Sequence, residues 1–171
     1  KIENPASEFF WLINTTVIEA LMPDSPFIID TILDYLKSFD YRINLIVHPI
    51  FSLTRNRAGE MTAVDFAEGK EGLESYVYIE INRLDAKTLN DLRKVLTENL
   101  MSLRTIVADF SDMLGALDTV RFEKEENKTI SRWISDNLIM LGLSNCENGK
   151  PVEPFYGEFR QNSRNRYFTG I

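Results

Sequence analysis

The sharpest pattern in the chain is a pair of period-two runs in its first half. Ile43, Leu45, Val47 and Phe51 point one way, while Asn44, Ile46, His48 and Ile50 point the other. Farther on, Val77, Ile79 and Ile81 alternate with Tyr76, Tyr78 and Glu80. A polar connection from Thr54 to Gly72, carrying Arg55, Asn56, Gly59 and Gly69, joins them. Two alternating runs across a turn-rich link predict an antiparallel pair. Thr15 to Met22 is rich in β-branched residues and predicts an earlier strand. Ahead of it, Asn4 to Asn14 holds Phe9, Phe10, Trp11, Leu12 and Ile13, which suit either a short helix capped by Ser7 or a buried extended arm.

Elsewhere the period changes to that of a helix. Pro23-Asp24-Ser25-Pro26 breaks the first strand, after which Ile29, Ile32, Leu33 and Leu36 share one helical face. Asp24 or Ser25 is expected to cap this helix, with Pro26 in its first turn, where the missing N–H costs nothing. Asp85 opens the clearest helix of the chain. Leu89, Leu92, Leu96, Leu100, Leu103, Val107 and Phe110 recur at intervals of three and four. Both helices can cover the odd-numbered sheet face. The class predicted is α+β, a two-layer sandwich of ferredoxin-like type: an antiparallel sheet with two helices on one face. Its fourth strand should follow, and Leu117 to Phe122 is the available candidate.

Gly115 to Lys128 reads as a charged linker through Glu123-Lys124-Glu125-Glu126, a solvated turn rather than a binding patch. From Thr129 onward Ile130, Trp133, Ile134, Leu138 and Leu141 carry helical spacing up to Gly142. Leu143–Cys146 and Pro154–Phe159 then suit two strands joined across Glu147-Asn148-Gly149-Lys150, where Asn-Gly is a hairpin signal. The division predicted is a first module with an N-terminal arm over 1–120, then a linker, helix and β-hairpin over 121–171 that open a following module.

Composition narrows the partners. With 171 residues, 44% hydrophobic and 26% charged, the chain has the ordinary globular mix and enough length for one core. A net charge of −7 argues against a nucleic-acid polyanion. Arg160, Arg164 and Arg166 cluster late without interleaved stacking residues and read as a solvated loop. No apolar run reaches the roughly 18–20 residues of a membrane span. Cys146 is the single cysteine, which leaves no internal disulfide or multi-thiolate metal site and suits a reducing cytoplasm. With Lys1 in place of an initiator Met and Thr-Gly-Ile at the other end, the chain reads as excised from something longer.

Catalytic motifs are missing. There is no Gly-x-Gly-x-x-Gly and no Gly-x-x-x-x-Gly-Lys, so neither a dinucleotide fold nor a P-loop is signalled. Gly-x-Ser-x-Gly is absent, and His48 is the single histidine, so no histidine pair can hold a metal. A nucleophilic Cys146–His48 pair is set aside because the two fall in separate proposed units. His48 either meets a ligand carboxylate or satisfies its nitrogens at a strand end, where Pro49 stops the ladder. The Asp24-Ser25-Pro26 turn offers helix amides to an anion, while Asp24 and Asp30 equally suit that helix's cap and dipole. Ile46, Ile50, Tyr76 and Tyr78 are expected on the sheet face away from the helices, an apolar and aromatic surface suited to an interface.

The ordered set Met22-Pro-Asp-Ser-Pro-Phe-Ile-Ile-Asp-Thr31, then the strand Tyr41 to Ile50 with its His-Pro pair, then Glu74-Ser-Tyr-Val-Tyr-Ile-Glu-Ile-Asn-Arg83, resembles the N-terminal regulatory region of large NAD-dependent glutamate dehydrogenases. That region is built from ACT-like modules. Arg132 to Gly142, with its Trp, Asp and Leu-Gly, resembles the segment after the first such module. ACT modules generally carry Asp-x-Pro-Gly after the first strand, with effectors bound beside it. Phe27 replaces that Gly here, as it does in the dehydrogenase branch. The resemblance implies a noncatalytic regulatory or assembly segment whose parent converts L-glutamate and NAD to 2-oxoglutarate and ammonia. It implies no cofactor in this segment, and NAD elsewhere in the parent. Partners implied are neighbouring modules of the same chain, further copies of the parent and an amino-acid effector held by Asp24, Ser25, Asp30 and His48. A free-standing amino-acid sensor is the competing reading.

Overall fold

The computed structural model describes residues 1–5, 14–65, 72–119, 125–148 and 150–161. The expected aromatic helix or arm before Asn14 therefore lies outside the described residues, apart from its two ends. Two compact units divide the chain, Lys1–Leu100 and Met101–Ile171.

The first unit holds strands β1 (Ile2–Glu3), β2 (Thr15–Pro23), β3 (Ile43–Val47), β4 (Ile50–Arg55), β5 (Met61–Asp65) and β6 (Leu73–Asn82), with α1 (Ile28–Ser38) between β2 and β3. The long helix α2 (Ala86–Thr119) begins here and continues into the second unit. All six strands join one antiparallel sheet of order β1-β2-β6-β4-β5, with β3 also on β6. Val77, Ile79 and Ile81 are completely buried on one face of β6. Ile28, Ile32 and Leu36 of α1 and Leu89, Leu92 and Leu96 of α2 supply the other layer of that core. This is the ferredoxin-like α+β sandwich that the periodicity predicts.

Four details differ from the sequence reading. First, the run through Ile50 is two strands broken at His48-Pro49, and β3 carries a bulge. Ile43 pairs with Ile81 and Leu45 with Glu80, so Asn44 is an extra residue. One extra residue turns every later side chain to the other face. Ile46 thus stands opposite Ile79, and Ile50 opposite Ser75, both on the helix side, while Leu45, Val47 and Phe51 join Tyr76 and Tyr78 outside. The expectation that grouped Ile46 and Ile50 with Tyr76 and Tyr78 is corrected on this register.

Second, the polar connection contains a strand. β5 pairs back on β4 across a turn in which Asn56 Oδ1 accepts from the amides of Ala58 and Glu60, at 2.9 and 3.0 Å, and Gly59 takes a left-handed φ of 83°. Third, Leu117–Thr119 are helical, so the proposed fourth strand is wrong as far as it is described; Val120 to Phe122 lie outside the described residues. The edge beside β2 is taken instead by β1, where Ile2 pairs with Ile18. A compact network holds it there. Thr16 Oγ1 donates to Asn4 Oδ1 and accepts from the Leu84 amide, Asn4 Nδ2 donates to the Leu84 carbonyl, and Arg93 of α2 donates to the Ile2 carbonyl. Fourth, Phe110 is exposed, because the buried positions of the later helix move to Met113 and Leu117.

In the second unit α3 spans Glu125–Asn137, so part of the expected linker is helix, and the helix stops before Gly142. β7 (Gly142–Glu147) and β8 (Lys150–Gly157) form the hairpin, with Asn148 at φ 51° in its turn, and α4 (Glu158–Gln161) takes Phe159 from the proposed strand. Gly142 is needed for close approach rather than for stopping a helix: an added Cβ would meet Tyr156 O at 3.0 Å. At Gly157 it would run into the Leu141 carbonyl oxygen, on a backbone with φ 58°. The second half of α2 anchors this corner through Asp109, which is buried and accepts the Gly157 amide at 2.8 Å and Arg160 Nε at 3.0 Å.

Leu96 is nearly inaccessible at the centre of the helix layer. Leu96→Ala is expected to cost about 2–5 kcal/mol in urea unfolding, through lost transfer energy and the cavity left behind. A loss below about 1 kcal/mol would place the stripe outside the core.

Candidate functional site

The turn after β2 is built by unusual means. The Asp24 amide donates to the Leu73 carbonyl at 2.8 Å, extending the β2–β6 ladder by one step. The Asp24 carboxylate accepts a short hydrogen bond from Ser75 Oγ, a hydroxyl buried within the sheet. It is thereby drawn away from the helix. Phe27, in the left-handed region at φ 69°, is the N-cap of α1, and no side chain caps the helix. The expected cap by Asp24 or Ser25 is therefore corrected, as is Pro26 in the first helical turn, since α1 begins at Ile28. Asp30 sits in that turn and complements the helix dipole.

Phe27 occupies the position at which the ACT pattern has Gly, and its φ supplies a physical reason for Gly there. A left-handed residue with a Cβ costs on the order of 1–2 kcal/mol, and the exposed Phe27 side chain gains little burial in return. Asp24, Ser25 and Asp30 thus gather about an α1 N-terminus whose first amides have no side-chain partner. Ser25 Oγ is buried without a hydrogen-bond partner among the described residues.

His48 approaches from the other side of β6. Val47 pairs with Tyr78 and Ile50 with Ser75, an equal spacing that puts His48 opposite Val77 on the helix side. Ser75, which holds Asp24, is two residues along that strand on the same face. His48 Nε2 is buried and likewise lacks a partner. The register thus sets His48 on the same face as Ser75, the partner of Asp24, and Ser25 Oγ and His48 Nε2 are the buried side-chain polar atoms without a partner among the described residues. Ser75 is the residue that sequence reasoning passed over, although its odd number in the β6 alternation placed it on the buried face.

The opposite sheet face has different chemistry. Tyr76 OH donates to Glu19 Oε1 and Tyr78 OH to Glu80 Oε1, both at 2.8 Å. Burial first, and then these carboxylates, push both phenols up to about 12. Leu21, Leu45 and Val47 are exposed around them. Arg55 adds a forked ion pair to Glu74, with Nη2 at 2.9 Å from Oε2.

Nothing described assembles a catalytic or metal centre. No group of three or more metal-ligating side chains exists among the described residues. An open cleft of about 600 Å³ in the second unit is lined by Gly115, Thr119, Ser144, Asn145, Pro154 and Tyr156, and it holds no acid–base pair. Cys146 is exposed in that unit, whereas His48 belongs to the first. No helix among the described residues is long and apolar enough to cross a membrane.

Residues 1–96 match the family model described as glutamate dehydrogenase, ACT1 domain, almost the whole of the first compact unit. The chain belongs to this family. It is also 30% identical to an NAD-specific glutamate dehydrogenase of Pseudomonas aeruginosa, over 80% of this chain and 10% of that protein. The chain therefore spans about a tenth of the length of the curated relative it matches. No solved structure matches it. The ACT1 assignment agrees with the β2–α1–β3 order that carries the Asp24 turn and with the long β6 beside β2.

Two outcomes test this site. Phe27→Gly removes the positive-φ penalty, offset in part by the greater freedom of an unfolded Gly. Stability in urea should stay level or rise by about 1 kcal/mol, while Phe27→Val should lower it by a similar amount. A loss above about 1 kcal/mol for Phe27→Gly would mean that the ring packs and that the strain reading is wrong. The second outcome concerns alkaline pH. Unfolded tyrosines lose their protons near 10, whereas Tyr76 and Tyr78 hold theirs to about 12. Proton release on unfolding must then lower stability as pH rises through that window. Phenolate absorbance should show Tyr76 and Tyr78 among the last of the six tyrosines to titrate, and Tyr76→Phe together with Tyr78→Phe should flatten the alkaline fall in stability. Six tyrosines titrating together would refute the arrangement.

Proposed function

We propose that this chain is a noncatalytic regulatory and assembly segment of a large NAD-dependent glutamate dehydrogenase. The parent reaction is oxidative deamination of L-glutamate by NAD to 2-oxoglutarate and ammonia, carried out on sequence beyond this segment. The ACT1 match over residues 1–96 carries the reading. The described glycines fit it, since Gly59 and Gly72 lie at positive φ between strands, Gly142 and Gly157 at close approaches and Gly115 within α2, and they form no phosphate-cradling loop. A cytoplasmic setting suits the exposed free thiol of Cys146.

Within the segment, the α1 turn is the effector site of this reading. Uncapped helix amides receive the carboxylate of a small amino acid, and Ser25 and the Asp24–Ser75 pair border it. His48 Nε2 supplies a further hydrogen bond from the neighbouring strand. Ordering the turn by a ligand would offset the Phe27 strain and satisfy buried polar atoms, each of which costs about 1–3 kcal/mol when left alone. The outer face with Leu45, Val47, Tyr76 and Tyr78 is assigned to assembly, against a neighbouring module of the same chain or another copy of the parent.

Calorimetric titration of the chain with proteinogenic amino acids and with NAD tests both halves of the proposal. Binding of at least one amino acid is expected, weakened tenfold or more by Ser25→Ala, with no heat from NAD. Micromolar NAD affinity would remove the noncatalytic reading, and silence toward every amino acid would remove the effector site.

A further inference from the structure

The outer face of the first unit's sheet mixes apolar, aromatic and acidic side chains in a fixed order. The register sets Glu19 and Leu21 of β2 against Tyr78 and Tyr76 of β6, with Leu45 and Val47 of β3 against Glu80 and Tyr78 on the other side. Leu21, Leu45 and Val47 are 48%, 44% and 42% exposed, and large apolar side chains so grouped mark a contact surface. Two carboxylates stand inside it, each held by a phenol. Tyr76 OH donates to Glu19 Oε1 and Tyr78 OH to Glu80 Oε1, both at 2.8 Å. A phenol fixes a carboxylate in place without neutralising it. Glu19 lies diagonal to Glu80 across the β2–β6 pair, and such positions are roughly 7–8 Å apart.

Charge decides what can cover this face. The cations beside it are already engaged. Arg55 makes its fork to Glu74, with Nη2 at 2.9 Å from Oε2, and Lys1 holds Glu3 at 2.6 Å while reaching Glu19 only at 3.7 Å. Glu80 has no ion pair among the described residues. Two copies joined by this same face would therefore set Glu19 and Glu80 against their like, with no free cation between them. A purely apolar partner would strip water from both carboxylates and return nothing to them. Arginine answers both demands. Its planar guanidinium forks onto a carboxylate and lies flat on an aromatic ring, and it sheds water more readily than the ammonium of lysine.

We infer that the face of Leu21, Val47, Tyr76 and Tyr78 docks a protein surface that carries two arginines among apolar side chains, one for each of the Tyr76–Glu19 and Tyr78–Glu80 couples. The inference rests on the reading of this face as an assembly surface, and it names the chemistry of what meets it. Residues two apart on a strand are spaced about 6.5 Å along it and point the same way. An extended segment of pattern Arg-x-Arg therefore fits both couples at once, with apolar neighbours over Leu21, Leu45 and Val47.

Calorimetry of the 171-residue chain with a synthetic peptide tests it. The probe is Leu-Ser-Arg-Ser-Arg-Ser-Leu, acetylated and amidated, which as a strand presents its leucines and arginines on one side. Its twin has citrulline in place of each arginine, equal in shape and without charge. The arginine peptide should bind, less tightly as salt rises, and the twin should bind about tenfold more weakly or worse. Glu19→Gln with Glu80→Gln, which leaves each phenol an acceptor, should weaken the arginine peptide by a similar factor. Asp34→Asn with Glu98→Gln, at exposed positions of α1 and α2, removes equal charge and should leave binding unchanged. No binding, equal binding of the twin, or an equal loss in the helix variant would each overturn the inference. So would a dimer of the chain alone, seen by sedimentation and strengthened by Glu19→Gln with Glu80→Gln. That result would keep the assembly reading of the face and remove its arginine partner. The amino-acid titration reads the α1 turn instead, so either experiment can fail while the other stands.

Discussion

The rest of the first unit depends on the pairing of β6 along both of its edges. β2 runs beside it for nine register positions, from Thr15 against Asn82 to Pro23 against Glu74. β3 and β4 share the other edge. A strand fixed on two sides cannot shift by one residue without exposing Val77, Ile79 and Ile81, which are buried completely. Burial of each such side chain stabilises the fold by about 1.5–3 kcal/mol, against stabilities of about 5–15 kcal/mol for whole domains. The faces of β2, β3 and β4 are thus set by β6, and so are the positions of Ser75 under Asp24 and of Tyr76 beside Glu19.

The features legible in the sequence were those with one dominant period. The β6 alternation, the α2 stripe through Leu103 and the Asp85 cap can be read directly. Asp85 accepts from the Thr88 hydroxyl, which first of all, and then with the Thr88 and Lys87 amides, holds its carboxyl below the usual range. The parts that escaped depend on single residues acting at a distance. Asn44 leaves no mark on composition, yet as a bulge it carries Ile46 and Ile50 to the helix side. The β5 strand hid in a polar connection because Met61–Asp65 is exposed throughout, so no buried face imposed an alternation of apolar and polar residues. The sequence offers the Asp24-Ser25 turn, Asp30 and His48 as candidates. The link that joins Asp24 to the His48 side, Ser75, becomes visible only from the register.

The edge beside β2 shows how one architecture can be completed from a different part of the chain. In the sequence reading the sheet is completed by a strand after the second helix, over Leu117 to Phe122. Here α2 continues to Thr119, and Ile2–Glu3 takes the place beside β2. Thr16, completely buried, joins Asn4 to the Leu84 amide, so the first residues are tied to the turn that starts α2. Without them, β2 would present an open edge, the part of a sheet most prone to pairing with other chains. The second half of α2 supplies Asp109 to the Gly157 corner.

The same economy governs the turn into α1. An Asp-Ser-Pro sequence before a helix ordinarily spends its polar side chains on the helix amides. Ser75 takes the Asp24 carboxylate instead, Ser25 Oγ is left buried and unpaired, and Phe27 holds a conformation that Gly adopts without cost. Each departure is unfavourable by itself, and a loop selected for stability alone would retain none of them. Departures of this kind persist where the surrounding structure enforces them and where a function draws on them. The enforcement is visible: the Asp24 amide is locked to Leu73 on β6, which fixes the exit from β2 and thus the direction from which α1 must start. A ligand carboxylate at those amides would supply the cap that the chain withholds. Binding would then be coupled to the geometry of the β2–α1 junction, and through β6 to the outer face that carries Tyr76 and Tyr78.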